Sequence, residues 1–348
     1  MRPSFFHHLH PPSIPARQAR FRYTLGAGGL AVFLVLALLV SGALLMFYYI
    51  PTPEEAGPSI QLITFLAPFG GLVRNLHYWA AQLLVVVVIL HMLRVILTGA
   101  YTAPRRFNYL LGLVLLLLSL FLDFTGYVLR WDEGVRWALV AGTNLIKSIP
   151  EVGPPLYSAV MGGDEPGPAT LIRFYAWHIF GLTLALVIAG AWHIFRVRRD
   201  GGIAVPPPDQ RQDTSRISRF ELVRREGLAA ILASTGLVFL AAFAPAPLAA
   251  PIQSLNAPAS TTIVPQAPWF FLWVQQLLRW GDPFWMGIMI PAGVLALLVS
   301  IPYLLPGPPL AQLGRWLPRG NRPAQALTLL LVIVLLALTL AAIFQVNG

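Results

Sequence analysis

Two histidines enclose a membrane-length apolar stretch, His77-Tyr-Trp-Ala-Ala-Gln-Leu-Leu-Val-Val-Val-Val-Ile-Leu-His91. A second stretch runs from His178 to His193 through Ile-Phe-Gly-Leu-Thr-Leu-Ala-Leu-Val-Ile-Ala-Gly-Ala-Trp. A helix rises about 1.5 Å and turns about 100° per residue, so the first pair would lie about 21 Å apart and about 40° off one face. The second pair, one residue wider, would be about 22 Å apart and about 60° off. Two such helices side by side would bring histidines together at two depths.

Composition restricts the class of protein before any motif is considered. The 348 residues are 57% hydrophobic and 11% charged, with a mean hydropathy of +0.69, which indicates a polytopic membrane protein. The chain has no cysteine, so disulfides, thiolate metal sites, iron–sulfur ligation and thioether attachment of a cofactor are excluded within it. The formal charge of +10 does not indicate nucleic-acid binding, because the arginines lie in loops between apolar spans without interleaved aromatic residues.

Seven segments are long enough to cross a bilayer of about 30 Å. We therefore predict an all-α fold of seven transmembrane helices, in which a four-helix bundle is followed by a three-helix module. The predicted organisation is a basic tail (residues 1–24), a four-span module (25–200), a linker (201–226) and a three-span module (227–348). The predicted spans are residues 25–50, 76–98, 109–130, 171–195, 227–248, 284–305 and 324–344.

The loops alternate in charge. The N-terminal tail holds four Lys and Arg residues, the loop after the second span two, the loop after the fourth eight and the loop after the sixth three. The other loops are long and hold most of the acidic residues. Two of them, residues 131–170 and 249–283, are predicted to be irregular. The positive-inside rule then predicts a multi-pass protein of the cell inner (plasma) membrane, with its N-terminus cytoplasmic and its C-terminus outside.

The four membrane histidines predict two bis-histidine haem sites. A lone membrane histidine can simply bond a neighbouring carbonyl, but here all four fall into two pairs at matching depths. Pairs of glycines with the same spacing of fourteen residues support the haem interpretation, because a missing side chain lets a flat macrocycle approach a helix. The glycines are Gly28 and Gly42 on the first span, and Gly112 and Gly126 on the third.

Several motifs carry a resemblance to a known family. They are Gly71-Leu-Val-Arg-Asn-Leu-His77, His91-Met-Leu-Arg-Val-Ile-Leu-Thr-Gly99, Thr125-Gly-Tyr127, Trp131-Asp132, Ile149-Pro150 and Arg173-Phe-Tyr-Ala-Trp-His178. With them the first four spans resemble cytochrome b of the bc-type quinol oxidoreductases, most of all the photosynthetic plastoquinol–plastocyanin reductase form. The last three spans resemble that family's smaller second subunit, so the chain resembles a fusion of the two.

The resemblance implies a role for particular residues. His77 and His178 would ligate a low-potential haem b near the outside, and His91 and His193 a high-potential haem b near the inside. Arg74 and Arg94 could pair with haem propionates, and Arg198 matches a basic position near an inner quinone site. The implied partners are a quinone, a Rieske-type iron–sulfur protein and a c-type cytochrome, in a membrane-bound dimer of complexes.

The sequence departs from the family at two positions. The family's outer quinol-site motif is Pro-Glu-Trp-Tyr, whose glutamate is implied to accept a quinol proton, whereas this chain has Ala267-Pro-Trp269-Phe270. Proline cannot accept a proton, so the candidates for the outer site are Asp123, Asp132 and Glu133, together with Trp269 itself. The photosynthetic form also has a cysteine that anchors a third haem; Gly26 stands at about that position, and no covalently attached third haem is expected.

Three functions remain open from the sequence. The first is a di-haem cytochrome b subunit that passes electrons from an outer quinol site to an inner quinone site, with coupled proton release. The second is a diverged di-haem subunit whose outer site is inactive and which carries electrons between an external redox partner and the quinone pool. The third, a non-redox scaffold or transporter, is disfavoured because buried imidazoles without a ligand are costly.

Overall fold

In a computed structural model, the chain is described at residues 12–16, 24–200, 215–245, 248–252, 267–313 and 315–346. Most of the predicted basic tail and linker residues 201–214 lie outside the described residues. The described residues form eleven α-helices and one antiparallel pair of strands, β1 (Ser13–Pro15) and β2 (Arg216–Ser218). The helices are α1 (Ala27–Met46), α2 (Ala56–Phe65), α3 (Gly70–Leu97), α4 (Arg106–Val128), α5 (Glu133–Lys147), α6 (Gly153–Met161), α7 (Pro168–Arg199), α8 (Arg219–Phe243), α9 (Leu272–Leu278), α10 (Phe284–Leu304) and α11 (Arg322–Val346).

The prediction of seven membrane spans is confirmed. Helices α1, α3, α4, α7, α8, α10 and α11 are long and apolar enough to cross a bilayer, and the protein is an integral membrane protein. Large apolar side chains point outward along them; Leu36, Phe239 and Leu330 are each more than half exposed. Such surfaces are costly in water and suit contact with lipid, where helices satisfy their own backbone hydrogen bonds.

The fifth span begins earlier than predicted, at Arg219 rather than near residue 227. Ser218 caps α8, because its side chain accepts a hydrogen bond from the Glu221 backbone N–H at 3.2 Å. Glu221 in turn pairs with Arg224 and Arg225, three and four residues further along the helix. The first two turns of α8 are helical but polar, so a prediction based on the length of the apolar segment leaves them out.

Helix α7 contains one wider turn, which places His178. Residues Trp177–Gly181 form a π turn, in which the Leu182 backbone N–H donates to the Trp177 carbonyl. A π turn takes up one residue more than an α turn. The offset of about 60° predicted for His178 and His193 assumed a regular α-helix. The π turn takes up the one residue by which the His178–His193 spacing exceeds the His77–His91 spacing, so that assumption does not hold.

The loop after the third span is mostly helical, which corrects the prediction of an irregular segment. Asp132 caps α5, because its carboxylate accepts a hydrogen bond from the Val135 backbone N–H at 2.9 Å. The proline-rich run that suggested irregular chain supplies the first turn of α6, a position that tolerates proline because its N–H is unsatisfied in any helix. The loop before the sixth span likewise contains α9.

Contacts between loops group them as the charge alternation predicts. On what we call the basic side, β1 pairs with β2, and the Tyr101 hydroxyl bonds Asn321 Oδ1 at 2.5 Å, tying the loop after the second span to the start of the seventh. Burial raises the pKa of Tyr101 to about 12, so the hydroxyl stays protonated and donates. On the opposite, acidic side, Arg74 at the start of α3 donates to the Ala250 carbonyl at 3.1 Å. The four-span and three-span parts therefore contact each other on both sides.

Candidate functional site

Helices α3 and α7 bring the four membrane histidines together as two pairs. On the acidic side, the ring centres of His77 and His178 are 6.2 Å apart with an angle of 70° between the ring planes. On the basic side, His91 and His193 are 6.4 Å apart at 77°. We call these the acidic-side pair and the basic-side pair. Each consists of one residue from α3 and one from α7.

The ring separations fit an iron atom bound between two imidazoles. An imidazole nitrogen binds zinc, a first-row metal, at about 2.0–2.1 Å and lies about 1.1 Å from its ring centre, so two imidazoles that face one metal ion from opposite sides would have ring centres about 6.2–6.4 Å apart. The observed 6.2 and 6.4 Å agree with this value at both depths. Two histidines alone are too few for a zinc site, which takes four ligands. No group of three or more His, Cys, Asp or Glu residues in the described part of the chain could hold a bare metal ion. A haem, which brings its own equatorial nitrogens, fits this donor set.

The four predicted glycines lie directly against the histidine rings. A Cβ built at Gly126 would meet His178 Cε1 at 2.8 Å, and one at Gly42 would meet His77 Cε1 at 3.1 Å. At Gly28 and Gly112 the nearest ring atoms, of His91 and His193, lie at 3.5 Å. The sequence interpretation assigned these glycines to the approach of a macrocycle. In the structure they first of all leave room for the imidazoles, and the fit is tightest on the acidic side.

Replacing Gly126 with alanine is expected to destabilise the protein more than replacing Gly112. A methyl group 2.8 Å from His178 Cε1 forces the ring or the helix to move, and overpacking of this kind costs about 1–3 kcal/mol. At Gly112 the distance of 3.5 Å is an ordinary contact, and alanine favours the helix by about 1 kcal/mol over glycine. Thermal unfolding followed by circular dichroism measures both. Equal midpoints for the two variants would contradict the packing argument.

The acidic-side pair is hydrogen-bonded through Nδ1. His77 Nδ1 lies 2.9 Å from Ser41 Oγ, and His178 Nδ1 lies 3.0 Å from the Leu122 carbonyl and 3.1 Å from Thr125 Oγ1. In the basic-side pair, Nδ1 of both His91 and His193 is buried without a hydrogen-bond partner among the described residues. The Asn108 carbonyl lies near His193 but outside hydrogen-bonding geometry. The two pairs thus differ in what surrounds them.

The three predicted arginines have different surroundings. Arg74 donates to the carbonyls of Ala250 and Pro251, so it anchors the chain that follows α8. Arg94 is buried, one turn of α3 beyond His91. Arg198 lies near the end of α7, and its Nε is buried without a hydrogen-bond partner among the described residues. Arg94 and Arg198 therefore lie at the same end of the bundle as the basic-side pair.

Asp123 belongs to a hydrogen-bonded chain that the sequence did not predict. Gln82 Nε2 on α3 donates to both carboxylate oxygens of Asp123 on α4, at 3.2 and 3.1 Å. Gln82 Oε1 accepts from the indole Nε1 of Trp269 at 2.7 Å. Two of the predicted outer-site residues, Asp123 and Trp269, are thereby joined. The Phe124 and Phe271 rings, 6.0 Å apart, pack the same loop against α4.

The other two acid candidates lie elsewhere. Asp132 caps α5 and forms an ion pair with Arg130 at 2.5 Å, so its carboxylate already has two partners. Glu133 is exposed. Both line a surface cavity of about 340 Å³ on the acidic side, together with Glu54, Arg130 and Arg136.

Sequence reasoning missed Gln82, Ser41 and Thr125. Gln82 had a signal, because an amide inside an apolar span is a functional candidate by default. The sequence also contained a signal for the two hydroxyl residues. Ser41 directly precedes Gly42 and Thr125 directly precedes Gly126, and these are the two glycines that lie against the acidic-side histidines. Which partner each side chain meets, however, depends on contacts between helices distant in sequence.

Comparison with known proteins gives consistent matches. The family model for cytochrome b(N-terminal)/b6/petB matches residues 82–253. The chain is 40% identical to cytochrome b6 of Heliomicrobium gestii over 192 residues, which are 55% of this chain and 88% of that protein. It is 37% identical to the menaquinol:cytochrome c reductase cytochrome b subunit of Geobacillus thermodenitrificans over 175 residues, 50% of this chain and 78% of that one.

The fold also matches a solved structure over nearly the whole chain. The match is to a hyperthermophilic respiratory Complex III, with a TM-score of 0.74 and 23% identity, and it covers 92% of this chain and 84% of the other. At this identity the match shows the fold alone. It extends well beyond the residues covered by the family model, so the three-span part shares the fold as well.

Proposed function

This chain belongs to the cytochrome b/b6 family as a membrane oxidoreductase subunit, and we propose that it carries two bis-histidine haem b groups and transfers electrons across the membrane. The observation that carries the proposal is the pair of ring separations, 6.2 and 6.4 Å, which fit an iron between the imidazoles at both depths. His77 and His178 would hold one haem, and His91 and His193 the other. Haem b supplies reversible one-electron chemistry when it is bound.

The chain's own residues would bind quinol on the acidic side and take up its protons there. Oxidation of a quinol releases two protons and two electrons, so a base is needed beside the hydroxyl groups. We assign this role to Asp123, whose Oδ1 and Oδ2 face Gln82 and are linked through it to Trp269. The assignment is supported by Pro268, which cannot accept a proton next to Trp269. Gln82 would hold the carboxylate in place, since its other end is fixed by the indole.

The proposed direction follows from the loop charges. With the basic side in the cytoplasm, protons are released outside, one electron goes to an external Rieske-type protein and a c-type cytochrome, and the other reaches a quinone near Arg198 on the cytoplasmic side. The protein would lie in the inner (plasma) membrane with its C-terminus outside, in a dimer of complexes. Gly26 stands in place of an anchoring cysteine, so no covalently attached third haem is proposed.

One observation keeps a second function in view. Because Pro268 stands where the family has its acid, the acidic-side quinol site could be inactive. The chain would then carry electrons between an external redox partner and the quinone pool. Both functions need the same two histidine pairs.

Haem analysis and a reduction assay test the proposal. A pyridine haemochrome assay on the purified protein should give two haem b per chain, and finding none would refute the function outright. A short-chain quinol, added with an artificial acceptor, should reduce the haems through a route sensitive to outer-site inhibitors. Reduction that is insensitive to such inhibitors would support the second function instead.

A further inference from the structure

Hydroxyl side chains distinguish the two histidine pairs. Ser41 directly precedes Gly42 on α1, and Thr125 directly precedes Gly126 on α4. At the equivalent positions beside the basic-side pair, before Gly28 and Gly112, the chain has Ala27 and Leu111. All four residues are buried. At these four positions, α1 and α4 thus place hydroxyl groups beside the acidic-side pair and apolar side chains beside the basic-side pair.

The hydrogen bonds fix which atom donates. The Ser41 hydroxyl donates to the Ala37 carbonyl at 2.7 Å, and the Thr125 hydroxyl donates to the Phe121 carbonyl at 2.9 Å. A carbonyl oxygen can only accept, so the His178 Nδ1–H donates to the Leu122 carbonyl at 3.0 Å and shares its proton with Thr125 Oγ1 at 3.1 Å. With the single Ser41 proton donated to Ala37, the Ser41 oxygen accepts from the His77 Nδ1–H. Nδ1 is then the protonated nitrogen of His77 and His178. This leaves the Nε2 lone pair free to bind a metal.

A hydrogen bond accepted from Nδ1–H changes the ligand strength of the ring. It moves electron density into the imidazole and makes Nε2 a better donor. Ferric iron carries one positive charge more than ferrous iron, so a stronger donor favours the ferric state and makes one-electron reduction harder. The Nδ1 atoms of His91 and His193 have no such bond among the described residues, so an iron held by these two rings would be easier to reduce.

We propose that Ser41 and Thr125 are positioning residues that lower the reduction potential of the acidic-side haem below that of the basic-side haem. The inference rests on the proposed bis-histidine haem sites. The two hydroxyls would thereby help to set the order of potentials that the family resemblance implies, low on the acidic side and high on the basic side. A hydroxyl before each acidic-side glycine, and none before the basic-side glycines, builds this difference into α1 and α4.

Charges near the pairs act in the same direction and have to be separated from the hydroxyl effect. Arg94 is buried beside His91, and a fixed positive charge there also favours the ferrous state of the basic-side haem. The carbonyl of Leu38 lies near the His77 ring, and His178 keeps the Leu122 carbonyl, so removing a hydroxyl does not leave either ring without an acceptor nearby. The experiment must therefore change hydroxyls at constant charge.

Spectroelectrochemical titration of the purified haem-loaded protein tests the proposal. In the double variant Ser41→Ala with Thr125→Val, we expect the lower of the two midpoint potentials to rise, while the higher one stays in place. Loss of such a partner changes metal affinity by roughly tenfold. If only one oxidation state of the iron loses this affinity, the midpoint potential shifts by about 59 mV for a one-electron couple. The conservative pair Ser41→Thr with Thr125→Ser keeps both hydroxyls and should keep the potential.

The reverse variant guards against a structural artefact. Ala27→Ser adds a hydroxyl beside Gly28, next to His91, and should lower the higher potential toward the other. Unmoved potentials in both the double variant and Ala27→Ser, with two haems still bound, would overturn the inference and leave the proposed function standing. Absence of haem from the unmodified protein would instead refute the proposed function. A rise in both potentials of the double variant would also contradict the inference, because the hydroxyls touch only one pair.

Discussion

Replacing His91 with leucine is expected to remove one of the two haem b groups and to leave the other in place. The basic-side pair would lose one of the two nitrogens that would hold the iron, and leucine fills a similar volume without a nitrogen to bind it. The acidic-side pair, about 21 Å away along α3, keeps both of its rings and their hydrogen bonds. The pyridine haemochrome value should fall from two haems per chain to one.

A double variant distinguishes pairing from general damage. If His91 and His193 hold the same iron, then His193→Leu alone and His91→Leu with His193→Leu should each leave one haem, because the second change removes a ligand from a site already empty. If instead each histidine bound a separate group, the double variant would lose more than either single one. Loss of both haems from the single variant would contradict the pairing in the structure.

The number of membrane spans could be predicted from the sequence because it depends on local properties. Span length, loop charge and the spacing of histidines and glycines are each read within one segment, and the structure confirms all seven spans. The ends of the spans were less predictable. The polar first turns of α8 depend on the cap at Ser218 and on the Glu221 ion pairs, which an apolar-length criterion excludes.

The alignment of the second histidine pair could not be predicted from spacing alone. Fifteen residues in a regular helix leave His178 about 60° from the face of His193. The π turn at Trp177–Gly181 changes that relation, and nothing in the apolar pattern around it distinguishes a π turn from an α turn. Its presence is stabilised by packing, including the contact of His178 with α4 through Gly126 and Leu122.

The hydrogen bonds that link Asp123 to Trp269 through Gln82 could not be predicted from the sequence for a different reason. Gln82 is 41 residues from Asp123 and 187 from Trp269, and the contacts cross from the four-span part to the three-span part. The sequence suggested both end residues separately, through the position of an acid in a span and through the departure at Pro268. The residue that joins them became visible only when α3, α4 and the loop before α9 were placed together.

Replacing Asp123 with asparagine is expected to slow quinol oxidation strongly while both haems stay bound. Asparagine has nearly the same shape and keeps one oxygen to accept from Gln82, but it is a much weaker base than a carboxylate. Loss of a positioned base typically costs about 10²–10⁴ in rate. Steady-state oxidation of a short-chain quinol with an external acceptor measures the effect, and haemochrome analysis shows that the sites are intact.

Matched variants decide whether this loss reports proton transfer. Asp123→Glu keeps a carboxylate and should retain much more activity than Asp123→Asn. Glu55→Gln removes an exposed acid from the same side of the membrane and should leave turnover unchanged. If Asp123→Asn turned over at the normal rate, Asp123 would not be the acceptor, and an acid elsewhere or an inactive quinol site would have to explain Pro268. Aspartate and glutamate both have a carboxylate that accepts protons. If Asp123→Glu were as slow as Asp123→Asn, the geometry of the Gln82 contact rather than the basicity of the side chain would therefore limit the rate.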